Sequence, residues 1–77
     1  MLQNENLILS RKIVEHLMSK EKMKDDLEGI SLAIYESGIT NVSKKLNMIL
    51  SQLISKGIII QTVDHHNKKY YNLTKHN

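Results

Sequence analysis

Two adjacent histidines, His65 and His66, are the residues of this sequence that most resemble metal ligands. A structural zinc site usually needs four ligands drawn from cysteine, histidine and carboxylate side chains. The sequence contains no cysteine, and Asp64 is the one carboxylate close to the pair. Adjacent residues in a strand point in opposite directions, and His16 and His76 are distant along the chain. The sequence therefore predicts neither a bound metal nor a cofactor.

The acidic residues Asp25, Asp26 and Glu28 are the nearest candidates for acid–base catalysis. Their spacing fits the first turn of a helix better, because carboxylates there interact favourably with the helix dipole. The three glycines are well separated, so they form no phosphate-binding loop, and no serine lies in a nucleophile motif. A chain of 77 residues also leaves little room for a shielded pocket. We expect a protein that is not an enzyme.

The basic residues are concentrated in the second half of the chain. Residues 1–38 carry five basic and seven acidic residues, which gives a net charge of −2. Residues 39–77 carry six lysines against Asp64, which gives +5 and a total of +3. Such asymmetry favours a half that contacts a polyanion. A chance distribution in a lysine-rich chain is the alternative.

Hydrophobic periodicity predicts a first helix over approximately residues 5–20, with Asn4 as its N-terminal cap. Its buried side is expected to hold Leu9, Ile13 and Leu17, widened by Val14 and Met18. Leu7 and Ile8 fall outside the main apolar stripe. They make this helix the best candidate for dimerisation, which a chain of this size often needs for stability.

A second helix is predicted over approximately residues 25–37, beginning at Asp25 or Asp26. Asp25 and Glu28 have the spacing of a capping box, and Gly38 is suited to end the helix. Its buried face is expected to hold Leu27, Ile30 and Ile34. The charged segment before it is expected to be a loop, in which Met23 is the one candidate for a very short strand.

The third predicted helix covers approximately residues 41–56, with Thr40 or Asn41 as its cap and Gly57 at its end. Its apolar face spans about 100° of arc and holds Val42, Leu46, Ile49, Leu50 and Leu53. The remaining face is polar, small and basic, with Lys44, Met48, Ser51 and Ser55 at its centre and Lys45, Asn47 and Gln52 beside them.

The periodicity then changes from that of a helix to that of strands. Residues 58–63 are rich in β-branched side chains, residues 64–67 have turn-forming types, and residues 68–74 contain two tyrosines. This pattern predicts a β-hairpin over approximately residues 58–74. Tyr70 and Tyr71 should face opposite sides of the strand, so that one lies in the core. The predicted fold is a single domain over residues 1–77, mainly α with a small β-hairpin (α+β).

The exposed face of the third helix has the chemistry of a DNA-reading surface. Lysines contact phosphates, while Asn47 and Gln52 can pair with adenine and Met48 can pack on a thymine methyl group. Burial in a dimer contact would explain an exposed Met48 equally well. The hairpin turn and the lysines after it would contact the phosphate backbone or the minor groove. The predicted DNA-binding residues are Ser43, Lys44, Lys45, Asn47, Met48, Ser51, Gln52, His65, His66, Lys68 and Lys69.

The spacing of Leu46, Leu50, Leu53, Gly57 and Ile59 resembles the end of a recognition helix and the start of a wing in winged helix-turn-helix proteins. The segment 70–74, Tyr-Tyr-Asn-Leu-Thr, looks like the returning wing strand of the ArsR, MarR and PadR groups of regulators. The resemblance implies DNA binding as a dimer, with the third helix in the major groove.

By that resemblance, the positions facing DNA are Val42, Ser43, Lys44, Lys45, Asn47 and Met48. The helical projection agrees for Lys44, Lys45, Asn47 and Met48, but it turns Val42 towards the core and places Ser43 near its border. The sequence departs from the family in two ways. The segment between Gly38 and Leu46 is about two residues longer than usual, and the wing has no arginine.

These observations predict a homodimer that binds duplex DNA sequence-specifically. It would act as a transcriptional regulator or bind a plasmid or phage partition site (centromere), where a filament-forming NTPase is a further partner. The alternative is a winged-helix module that binds protein instead of DNA. No apolar run approaches the roughly 20 residues of a membrane span, and the first residues do not resemble a secretion signal. We therefore expect a cytoplasmic location and no contact with a membrane.

Overall fold

The computed structural model describes the backbone of residues 2–39 and 43–74, and the side chains of residues 6–39 and 44–74. In chain order, the described elements are α1 (Leu2–Ser19), β1 (Lys24–Asp26), α2 (Leu27–Glu36), α3 (Ser43–Ser55), β2 (Ile59–Val63) and β3 (Lys69–Leu73). Over these residues the protein is a small α+β fold with three helices and one three-stranded antiparallel sheet. The predicted hairpin is present, and β1 adds a third strand to it.

Helix α1 begins earlier than predicted. It already includes Leu2, so Asn4 lies inside the helix and is not its cap. The prediction that Met18 widens the buried side is also wrong, because Met18 is 62% exposed and Val14 is only half-buried. At about 100° per residue, Met18 lies about 140° around the helix from Ile13, which is fully buried. The buried stripe of α1 is therefore narrow.

The predicted start of the second helix is also corrected. Asp25 and Asp26 form part of β1, where they pair with Tyr71 and Tyr70 respectively. The N-terminal cap of α2 is Asp26, whose Oδ1 accepts a hydrogen bond from the Gly29 amide at 2.8 Å. The short strand expected at Met23 starts one residue later, although the Met23 carbonyl does accept a bond of 2.9 Å from the Leu73 amide.

The structure also bears on the predicted buried face of α2 and on the predicted ends of α2 and α3. The prediction that Leu27 belongs to the buried face of α2 is wrong: Leu27 is 38% exposed, and α2 buries only Ile30 and Ile34 among its described side chains. The left-handed backbone of Gly38 and Gly57, with φ of 94° and 76°, confirms that glycine ends each helix. The predicted caps Thr40 and Asn41, and the predicted core residue Val42, lie outside the described residues.

The sheet has the strand order β1-β3-β2, so the last strand lies between the other two. In the hairpin, Ile59 is opposite Leu73 and Val63 is opposite Lys69. The core lies between this sheet and the helices. It is made of Leu9, Ile13, Leu17, Ile30, Ile34, Leu46, Ile49, Leu50, Leu53, Ile59 and Tyr71. The burial of Tyr71 confirms that one of the two adjacent tyrosines belongs to the core. Among the described helices, none is long and apolar enough to cross a membrane.

Candidate nucleic-acid interface

Helix α3 has one buried side and one exposed polar side. Four of the predicted core residues, Leu46, Ile49, Leu50 and Leu53, are buried, and this fixes which side chains face outwards. The predicted site residues on the exposed side are Lys44, Asn47, Met48, Ser51 and Gln52. Met48 is 42% exposed, so a large apolar side chain interrupts an otherwise polar surface.

Two predicted residues at the start of α3 differ from this group. Lys45 is half-buried and makes a contact within the chain. Ser43 is the first residue of the helix, and its side chain lies outside the described residues. Lys44 is thus the exposed cation of α3 among the predicted residues.

The turn between β2 and β3 is ordered by Asp64. Its Oδ1 accepts hydrogen bonds from the amides of His66 at 2.8 Å and Lys68 at 2.9 Å. The amide of Asn67 donates to the Asp64 carbonyl, and Asn67 adopts a left-handed φ of 64°, which asparagine tolerates better than most residues. Asp64 and Asn67 therefore stabilise the backbone of the turn, while His65 and His66 are exposed at its tip.

The two histidines lie side by side, with ring centroids 4.0 Å apart and ring planes tilted by 45°. Within the described residues, no group of three or more histidine, cysteine, aspartate or glutamate side chains could hold a metal ion.

Lys68 differs from the other cations of the hairpin because it contacts the rest of the fold. Its Nζ lies 2.9 Å from Asp26 Oδ2 and 5.8 Å from the centre of the Tyr70 ring. The Lys68 ammonium and the Gly29 amide hold the pKa of Asp26 below its ordinary value of 3.8. The hydrogen bond and charge of Asp26 raise the pKa of Lys68 above 10.5. Lys68 and Lys69 are both exposed, but Lys68 also pairs with Asp26.

A second polar cluster joins α1 to β1, and no part of it was predicted from the sequence. His16 Nε2 lies 2.6 Å from Asp25 Oδ2, and both side chains are more than four-fifths buried. Asp25 Oδ1 also accepts a bond of 2.8 Å from the Asp26 amide. The carboxylate occupies the space that a Cβ on Gly29 would need. The one signal in the sequence was a glycine inside a helix, which usually has a packing reason.

The chain was also compared with known proteins. No family model, no curated protein and no solved structure matches it. The functional argument therefore depends on the chemistry of the residues and on their arrangement.

Proposed function

We propose that the protein has a winged-helix fold and binds duplex DNA sequence-specifically as a homodimer, with α3 in the major groove and the β2–β3 hairpin as a wing. The element order and the sheet order β1-β3-β2 are consistent with a winged-helix arrangement. The observation that carries the proposal is the exposed side of α3, which combines a lysine with amide, hydroxyl and thioether side chains.

Each group on that side has a matching chemistry in DNA. Lys44 would contact a phosphate near the start of α3. Asn47 and Gln52 can each donate to and accept from an adenine edge, and Met48 can pack against a thymine methyl group. Ser51 is small, so the helix can approach the floor of the groove. A major groove about 12 Å wide accepts a helix of this kind.

The hairpin would supply a second set of contacts. Lys69 and the tip residues His65 and His66 would lie along a phosphate backbone. Lys68 would contribute less than the sequence suggests, since it already pairs with Asp26. A regulator that occludes a promoter and a protein that marks a plasmid or phage partition site both fit this surface, and a filament-forming NTPase would be the further partner in the second case.

The test is DNA affinity as a function of salt, measured with a genomic or plasmid fragment library by footprinting and then with the selected duplex. The logarithm of affinity should fall with the logarithm of salt concentration, with a slope of about −0.9 per phosphate neutralised. The double variant Lys44→Ala/Lys69→Ala removes one exposed cation from α3 and one from the hairpin. It should weaken binding to every sequence and flatten the slope by about two units if each lysine neutralises one phosphate.

The matched control is Lys12→Ala/Lys22→Ala, which removes the same charge from two exposed lysines on α1 and in the connection after it. It should bind DNA nearly as the native protein does. Equal losses in both double variants would show that only net charge matters. Weak, salt-insensitive association with DNA would favour the alternative, a winged-helix module that binds protein.

A further inference from the structure

Helix α1 carries a second row of side chains, on the side away from the core, that the fold does not use. Ile8, Arg11, Glu15 and Met18 follow one another at intervals of three, four and three residues. All four are exposed, Ile8 at 52% and Met18 at 62%. Alternating intervals of three and four residues are typical of helices that pack along one another. We refer to these four residues as the α1 seam.

The chemistry of the α1 seam is complementary to itself in one direction only. With a second α1 running antiparallel about a two-fold axis at the level of residue 13, Ile8 lies opposite Met18 of the second copy. Arg11 then lies opposite Glu15 of the second copy, and the two-fold axis repeats both pairs. In a parallel pair in register, each charged residue would face its own equivalent and be repelled.

Neighbouring residues support the same arrangement. Leu7, 59% exposed, and Val14, half-buried, flank the α1 seam along one edge. In the antiparallel pair this edge meets the same edge of the second copy, which extends the apolar contact. Within a single helix, arginine placed four residues before glutamate is the weaker order for an ion pair. Arg11 and Glu15 therefore gain less from pairing with each other within one helix.

We propose that the α1 seam is the docking surface for a second copy of this chain, whose α1 packs against it antiparallel with Ile8–Met18 and Arg11–Glu15 layers. This contact would form the dimer that the proposed DNA binding uses. Only the role of the dimer in DNA binding rests on the proposed function, because the dimer itself forms without DNA.

The first experiment reverses charges in the α1 seam and measures the dimer dissociation constant without DNA by analytical ultracentrifugation. Arg11→Glu and Glu15→Arg each replace two attractive pairs by two repulsive ones, and each should weaken the dimer roughly tenfold. In an equimolar mixture of R11E and E15R, every opposed pair again has opposite charges, and association should return to the native level. Both side chains are exposed, so circular dichroism should show native helix content in each variant.

The second experiment fixes the direction of the helices. The chain has no cysteine, so cysteines can be introduced without a background. The double variant Ile8→Cys/Met18→Cys should form a disulfide-linked dimer under mild oxidation, since a disulfide joins Cα atoms about 4.4–6.8 Å apart. Ile8→Cys alone should not crosslink, because ten residues at 1.5 Å each separate the two equivalent positions by about 15 Å along the helix.

A monomeric native chain at all accessible concentrations, or crosslinking of I8C alone, would overturn the proposal. Failure of the mixture of R11E and E15R to associate would also overturn it. DNA binding is assayed separately on the same variants. An intact crosslinked dimer with no affinity for DNA would refute the proposed function but not the α1 seam. A native chain that is monomeric and still binds DNA specifically would refute the α1 seam and the homodimer, but not DNA binding itself.

Discussion

The carboxylate of Asp26 makes two interactions, and they contribute unequally to stability. It caps α2 through the Gly29 amide and pairs with the ammonium of Lys68, whose side chain is 55% exposed. An ion pair this exposed contributes little, whereas loss of an N-terminal cap costs about 1 kcal/mol. Asp26→Ala should therefore lower the free energy of unfolding by about that amount in urea titrations. Asp26→Asn keeps a capping side chain but loses the ion pair with Lys68, so its stability should lie between those of the native chain and Asp26→Ala. The control Glu21→Ala, at an exposed position outside the helices, should remain close to native stability.

The charge of Asp26 should be visible in the pH dependence of stability. Lys68 and the Gly29 amide lower the pKa of Asp26 in the folded protein. The contribution of the Asp26 charge to the free energy of unfolding is therefore complete above pH 3.8, and it is lost as the pH falls through the pKa of the folded state. The pKa of Lys68 is raised in the folded protein, so the contribution of its charge to stability is complete below pH 10.5 and is lost as the pH rises through the pKa of the folded state. The difference in unfolding free energy between the native chain and D26N should be constant between pH 3.8 and pH 10.5 and should shrink outside that range. A difference that persists at pH 2 would contradict this account.

Replacing Gly29 with alanine should raise or lower the stability depending on which residue stands at position 25. Alanine is usually more stable than glycine inside a helix by about 0.5–1 kcal/mol. Here the new Cβ would displace the Asp25 carboxylate from its bonds to His16 and to the Asp26 amide. Gly29→Ala should therefore destabilise the native chain but stabilise the Asp25→Ala variant. The double-mutant cycle is measured by thermal and urea unfolding, and a stabilising effect in both backgrounds would refute the coupling.

At the residue scale, the sequence predicted the exposure of Lys44, Asn47, Met48, Ser51 and Gln52 on α3, but not that Lys45 is half-buried or where Lys68 and Asp25 would bind. The exposure of Asn47 and Ser51 follows from helical periodicity alone. The pairs Lys68–Asp26 and His16–Asp25 depend on β1 lying beside β3. That pairing joins residues far apart along the chain, and local pattern carries little information about it.

At the scale of elements, the connection from α3 to β2 depends on one residue. Gly57 has a φ of 76°, and nothing lies within 4 Å of a Cβ built there. Gly57→Ala should therefore destabilise by about 1–2 kcal/mol through backbone strain, without a clash. Gly57→Asn should cost less, because asparagine tolerates the left-handed region better. Equal unfolding free energies for the two variants would show that the position is not strained.

Element types were easier to predict from the sequence than element ends. The positions of Gly38 and Gly57 marked the ends of α2 and α3 correctly, because left-handed backbone has few other occupants. The start of α1 was misplaced, since a capping residue also occurs inside helices. The three-residue strand β1 has no periodicity of its own, and two of its three residues looked like a helix cap. Only its pairing with β3 makes it a strand.

At the scale of the whole molecule, a folded chain of 77 residues has a small margin of stability. Anything that binds the folded state should therefore raise its melting temperature measurably. If the α1 seam forms a dimer, the melting temperature should rise with protein concentration, and in R11E the same rise should need roughly tenfold higher concentrations. Specific duplex DNA at about 100 times its dissociation constant should add roughly 2.7 kcal/mol of stability.

Salt should separate these two effects. DNA binding by lysines releases counterions, so added salt should remove most of the stabilisation by DNA. The Ile8–Met18 layers are apolar, so the dependence on protein concentration should persist in the same salt. Differential scanning calorimetry over a matrix of protein and salt concentrations measures both. If salt abolishes the concentration dependence as well, then the Arg11–Glu15 pairs carry the dimer and the apolar ends of the α1 seam contribute little.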